Sequence, residues 1–275
     1  MERTVARNGV VYYRSNLIPC IHGFSTRIGG VSRLPHTASL NLGLERGDDR
    51  ETVTENLSLF SDALGVECEN IVSVSQIHST KIRYITEKER GEGFFCPETE
   101  ACDGYITDRR GVALGVRTAD CVPILLYAPP TENFSGAVSA LHAGWRGTAA
   151  GIAREAVEKL SKMGAEVSLI KAAIGPAIES CCYTVKADFY SEFKEKAGVL
   201  LTETYVTAVS DGVWKADLKG ANREILTECG LLDKNIDVCD RCTCCEPNEF
   251  FSHRYSKGLR GTMLSVIALD DRENR

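Results

Sequence analysis

The stretch GVALGVRTADCVPILLY (residues 111–127), followed at 137–148 by AVSALHAGWRGT, holds two nearly continuous apolar runs and then a third that gives way to glycines. Residues 112–116 and 122–127 read as strands buried on both faces, and 137–141 reads the same way. After Gly144 and Gly147 the pattern turns helical over 148–163. There Ile152, Ala156, Val157 and Leu160 share one face and Gly164 marks the stop.

Outward from this centre, strands are predicted over 10–13, 71–74, 169–174 and 263–269, with 81–85 pairing to 71–74. A helix is predicted over 51–64, with Val53, Leu57, Phe60 and Leu64 on one face, Asp48 and Glu51 as a capping box, and Gly65 as its end. Two more are predicted over 188–196 and 216–229. Strands and helices in mixed order, with several strands adjacent in sequence, predict an α+β fold rather than a regular βαβ array. No repeat or linker divides the chain, so residues 1–275 are read as one domain, with the charged stretch 87–100 as a surface loop.

Of 275 residues, 43% are apolar and 25% charged, which excludes a disordered, fibrous or coiled-coil chain. A chain of this length buries roughly three quarters of its unfolded surface and needs no disulfides for stability. The net charge of -6 removes any general attraction to nucleic acid or an anionic membrane. No apolar run approaches the roughly 20 residues of a membrane helix. Arg7, Asn8 and Arg14 interrupt the apolar stretch that a signal peptide would need. The chain therefore reads as cytoplasmic. Its 12 cysteines read as reduced thiols, most of them small packing residues.

Three segments place a metal-ligand type at the end of a predicted strand: His78 in SQIHS, Cys121 in RTADC, and His142 in LHAGWRGT. Two imidazoles and a thiolate suit zinc, and three protein ligands leave a fourth position open, as catalytic sites do. Spacing alone leaves the competing reading in place, with each His hydrogen-bonded in the core and Cys121 as packing. Gly147 and Thr148 at the expected helix start, with Arg146 beside them, form a candidate phosphate cradle, or else a tight turn. Arg27 in the glycine-rich GFSTRIGGVS and Arg254 in SHR are further candidate anion contacts, and Asn41 in SLNLG is a candidate for a sugar or base edge. The tail run CDRCTCC (239–245) contains C-x-x-C. A closed zinc site there needs a second pair, and the adjacent Cys181 and Cys182 make awkward co-ligands, so these thiols read as packing.

Taken together, GFSTRIGGVS, SLNLG, SQIHS, ACDGYITDRRGVALGVRTADCVPILLY, LHAGWRGT, IGPAIESCCYTV and RCTCC…FFSHR…GLRGTM resemble the laccase-domain family, also known as YfiH or peptidoglycan editing factor and formerly as multicopper polyphenol oxidase. The resemblance runs from about residue 23 to residue 269. It implies a four-layer α/β/β/α fold, similar in shape to the cytotoxic necrotizing factor cysteine hydrolases. It also implies a zinc site at His78, Cys121 and His142. The activities it implies are phosphorolysis of adenosine, inosine and methylthioadenosine, with adenosine deamination, so the expected partners are purine nucleosides and phosphate. A homodimer is compatible with this reading. Asp120 is the nearest carboxylate in sequence for a proton shuttle, or else a brace for a ligand. Copper is the metal of the laccase label, but five histidines without His-x-His pairs do not suit a multicopper cluster. The rival enzyme reading is a Cys/His hydrolase acting in peptidoglycan editing, with Cys121 as nucleophile and His142 or His78 as base. The chain departs from the family at Asn56-Leu57, at His253 and in its surplus of cysteines.

Overall fold

The computed structural model describes residues 1–270. In chain order the strands are β1 (Glu2–Val5), β2 (Val11–Arg14), β3 (Ile21–Ser25), β4 (Ile71–Val72), β5 (Ile82–Tyr84), β6 (Gly104–Thr107), β7 (Ala113–Thr118) and β8 (Val122–Ala128). They continue as β9 (Ala137–Ala143), β10 (Lys171–Ile174), β11 (Thr184–Lys186), β12 (Val206–Ser210), β13 (Val213–Ala216), β14 (Ile236–Val238) and β15 (Met263–Ala268). The α-helices are α1 (Arg50–Leu64), α2 (Trp145–Ala149), α3 (Ile152–Lys162), α4 (Ala187–Ala197), α5 (Val199–Tyr205), α6 (Leu218–Glu228) and α7 (His253–Ser256).

Two six-stranded sheets carry the molecule, ordered β1-β2-β3-β15-β7-β4 and β14-β10-β8-β9-β6-β5, beside a small sheet β11-β13-β12. Strand β8 explains their stacking. All seven of its residues are buried. Val122, Ile124 and Leu126 pack with α3 and α6, whereas Leu125 and Tyr127 pack with Leu114, Val116 and Ile267 of the first sheet. Alternate residues thus enter different cores, and a strand covered on both faces reads as a continuous apolar run. On the far side of the first sheet, Val53, Leu57 and Phe60 of α1 meet Leu264 and Val266. The layers are α/β/β/α, as the resemblance implied, and each fully buried Leu, Ile or Phe contributes about 1.5–3 kcal/mol.

Several local expectations are corrected. Strand β5 does not pair with β4. Strand β4 joins β7 in the first sheet and β5 joins β6 in the second, both in parallel, so the segment between them crosses from sheet to sheet. The N-cap of α1 is Asp49, whose side chain accepts from the Thr52 amide, rather than Asp48, whose carboxylate is taken by Ser32, Thr37 and Asn41. The helix expected over 148–163 starts earlier, at Trp145, and breaks at Gly151, whose φ of 81° ends α2 and starts α3 in a new direction. The stretch 87–100 is not wholly a surface loop. Glu92 is buried in an ion pair with Arg83 (2.8 Å), and Phe94 enters the α1 core. No helix among the described residues is long and apolar enough to cross a membrane.

A candidate metal and catalytic centre

A cleft of about 300 Å³ opens at one end of the interface between the two large sheets. Strand β7 ends there with Arg117 and Thr118, β8 begins just after Cys121, and β9 brings His142. Residues of even number on β9 face the other sheet, as Val138 and Ala140 do, and this alternation aims His142 into the gap. The segment crossing between the sheets adds His78. The ligand atoms of His78, Cys121 and His142 all lie within 4.8 Å of one another, with His78 Nε2 3.9 Å from Cys121 Sγ. The two imidazoles meet edge to face, with centroids 4.9 Å apart.

Such an approach constrains the backbone. A Cβ on Gly144 would fall 2.7 Å from His78 Cδ2 and 3.5 Å from Cys121 Sγ, so only glycine leaves this space. His78 has a φ of 59° and Asp120, beside Cys121, one of 96°. Non-glycine residues in this region cost of order 1–3 kcal/mol each and persist only where surrounding bonds hold them. At Asp120, Oδ1 accepts from the Thr243 hydroxyl (2.6 Å) and Oδ2 from the Arg254 amide (2.7 Å). At His78 the holder is Asp103.

Asp103, fully buried just before β6, accepts from the amides of Ile77 (3.3 Å), His78 (2.9 Å) and Ser79 (2.6 Å) and from the Ser79 hydroxyl (2.7 Å). Its Oδ1 also lies 2.9 Å from His142 Nδ1. One carboxylate thus fixes the loop of one ligand and the ring of another. With Nδ1 donating to Asp103, the Nε2 of His142 is left as the free donor atom toward the cleft, the arrangement that orients metal-binding histidines. Burial alone would raise the Asp103 carboxyl. The His142 and Ser79 hydrogen bonds outweigh it and bring it down to about 2.

Cys121 and His142 act on each other in the same way. Burial disfavours both charges, but the two imidazoles, His142 foremost, bring the thiol down to about 6. The thiolate and Asp103 raise His142 to about 9. Without a bound ion these mutual effects favour the thiolate and imidazolium forms of the pair. With one, the same atoms present two neutral nitrogens and a sulfur anion around a space that Gly144 keeps clear. This donor set and this space fit a thiophilic divalent metal such as zinc.

The other sequence candidates are not brought to this point. Arg27 spends its guanidinium on the carbonyls of Ala38 (2.8 Å) and Pro247 (2.7 Å) and stacks on Phe251. Asn41 is buried, bonded to Gly43, Asp48 and the Thr262 amide, and shapes the cleft wall without facing it. Arg146 pairs with Glu192 (3.1 Å) and lies over Trp145. Gly147 packs under Ser79, and the Thr148 amide already donates to Gly144 (2.8 Å), because the helix begins three residues before the expected start. Thr148 thus lies inside the helix, and its amide is not offered to an anion. Arg254 caps the carbonyls of Cys182 and Thr184. The cations that do line the cleft are Arg46, Arg117 and Arg260, none of them singled out by the sequence. Arg117 donates to the Val74 carbonyl (2.9 Å). Arg260 reaches Gly261 and Thr262 through Nη1 while its buried Nε has no hydrogen-bond partner among the described residues. Burial and the neighbouring Arg46 lower the Arg260 guanidinium to about 10.

Residues 21–270 match the family described as "Multi-copper polyphenol oxidoreductase laccase". The chain belongs to this family. It is 40% identical over 252 residues to the protein named purine nucleoside phosphorylase YlmD of Geobacillus stearothermophilus, covering 90% of this chain and 89% of that protein. It is 35% identical to a protein of an unknown prokaryotic organism named adenosine deaminase RL5, with 85% and 88% covered. The crystal structure of YlmD from Geobacillus stearothermophilus superposes with a TM-score of 0.85 at 37% identity, covering 95% of this chain and 96% of that one.

Proposed function

We propose that this chain is a zinc-dependent purine nucleoside enzyme that cleaves adenosine, inosine and methylthioadenosine with phosphate and also deaminates adenosine. The observation that carries this reading is the open set His78, Cys121 and His142, held by Asp103 in a cleft with unpaired cationic capacity. The relatives named purine nucleoside phosphorylase and adenosine deaminase support the substrate class. Zinc held by the three residues would supply Lewis acidity toward a donor in its open position.

The chain's own residues do the rest. Arg46 and Arg260 both line the cleft and repel each other, and a phosphate dianion between them would relieve that repulsion. In phosphorolysis a phosphate oxygen bonds C1′ of the ribose as the C1′–N9 bond breaks, and its electron pair leaves on the purine, which takes a proton. In deamination water adds at C6 and ammonia leaves. Asp120 is engaged by Thr243 and Arg254, whereas Glu45 and Glu98 line the cleft itself, so the proton shuttle is assigned to these. Of the five histidines, only His78 and His142 converge: His22 is bonded in the core, His36 to the Arg46 carbonyl, and His253 is exposed. Among the described residues this leaves no ligands for a multicopper cluster.

The hydrolase reading is favoured by one specific observation, the Cys121–His142–Asp103 series with a thiol lowered to about 6. The two readings separate in one experiment. Purified protein is incubated with adenosine or inosine, with and without phosphate, and the products are resolved by chromatography. Phosphate-dependent adenine and hypoxanthine, with inosine formed from adenosine, is the expected result. No turnover by folded, zinc-loaded protein, alongside release of products from muropeptides, overturns it in favour of the hydrolase.

A further inference from the structure

The tail thiols, read from sequence as packing residues, are gathered into a second cluster. Sγ atoms of Cys181, Cys182, Cys242 and Cys245 all lie within 4.8 Å of one another. Cys181 and Cys182 are 3.8 Å apart, and Cys245 lies 3.4 Å from the first and 3.3 Å from the second. These separations are far longer than a disulfide bond of about 2.05 Å. They are close to the edge of about 3.8 Å that four sulfurs make around a tetrahedral zinc with bonds of about 2.3 Å. Adjacent cysteines serve as co-ligands here because the turn at Glu179, whose carbonyl accepts from both Cys182 (2.9 Å) and Tyr183 (2.8 Å), presents both side chains on one side.

From this geometry we infer that Cys181, Cys182, Cys242 and Cys245 form a closed tetrathiolate site for a structural zinc ion, separate from the cleft. A further feature agrees with it. The C-x-x-C segment from Cys242 to Cys245 lies against the other ligand loop, with the Glu179 amide donating to Cys242 Sγ (3.4 Å) and the Thr243 amide to the Ala177 carbonyl (3.1 Å). The Glu179 N–H favours a thiolate at Cys242.

Four protein sulfurs leave no open position, so the site is a staple and not a second reaction centre. Its place in the fold gives it a task. The two stapled loops also hold Thr243 and the carbonyls of Cys182 and Thr184, which engage Asp120 and Arg254. Arg254 in turn donates its amide to Asp120, the strained residue beside Cys121. The ion thus fixes, through Asp120, the turn that presents Cys121 to the cleft.

The test is metal content of the protein purified with reductant and without chelator. Wild type is expected to carry two zinc ions per chain, a His78→Ala/His142→Ala variant one, and a Cys181→Ser/Cys245→Ser variant one. Cobalt loaded into the His78→Ala/His142→Ala variant should give the intense visible bands of a tetrahedral tetrathiolate, which requires no change to the cluster itself. Absence of any ion in that variant, or a cobalt spectrum without sulfur charge-transfer bands, overturns the inference. So does a disulfide joining any two of Cys181, Cys182, Cys242 and Cys245, mapped by peptide mass spectrometry in protein purified without reductant.

Discussion

The two clusters of ligand-type side chains are built on opposite plans. His78, Cys121 and His142 sit at strand ends and on a crossing segment between two stacked sheets, are oriented by a buried carboxylate, and leave one side open to a cleft. The four thiols sit on two irregular loops, have no orienting carboxylate, and close on one another. A reacting centre needs rigid supports and an empty position, and the sheets supply the rigidity. The loops at 176–183 and 239–245 are irregular, and in the inferred tetrathiolate site metal–sulfur bonds would tie one to the other.

The largest expected effect separates the two clusters. Replacing His142 with Ala should lower nucleoside turnover by about 10²–10⁴-fold, the range for one positioned catalytic group. The thiol cluster should keep its ion, and kcat together with zinc stoichiometry checks both. Gly144→Ala comes next. Its Cβ would sit 2.7 Å from His78, and displacing a ligand by a fraction of an ångström should cost up to about 10²-fold in kcat. Melting should barely change, which differential scanning calorimetry reads.

Asp103→Asn should lower metal affinity and activity by about 10–100-fold, the usual cost of losing a partner that orients a ligand. Competition with a chromogenic chelator measures the first and steady-state kinetics the second. Arg260→Gln should raise the KM for phosphate about tenfold, the equivalent of about 1.4 kcal/mol, while Arg146→Gln leaves it unchanged. The finest test is a pH profile. In chelated protein the rate of Cys121 alkylation by iodoacetamide should rise through a midpoint near 6, because the imidazolium holds the thiolate below its ordinary range. Asp103→Asn weakens that imidazolium, so the midpoint should move up. Restored zinc should block the reaction.

Much of the frame was legible in the sequence for a physical reason. A strand covered on both faces must be apolar at every position, so 122–127 announced itself, with Cys121 at its border and His142 at the end of the next such run. Asp103 was passed over, although ACDGY contains it, because its meaning comes from β6 lying beside β9, and strand neighbours are set by the fold. Arg46 and Arg260 are more than 200 residues apart in sequence and meet only through tertiary packing. Arg27, Arg146 and Arg254 looked like anion contacts because a charged residue beside glycines reads the same whether it faces a ligand or caps a carbonyl. The thiol cluster was dismissed on the adjacency of Cys181 and Cys182, which a single turn resolves.

The central claim is that the open cluster performs nucleoside chemistry through a bound metal. Its most direct test is to strip the protein with a chelator, confirm that it stays folded by circular dichroism, and titrate zinc back while following phosphate-dependent release of hypoxanthine from inosine. Activity that is lost on stripping and returns as zinc refills the site of His78, Cys121 and His142, but fails to return in Cys121→Ala, is the predicted result. Full activity in the stripped, folded protein would contradict it.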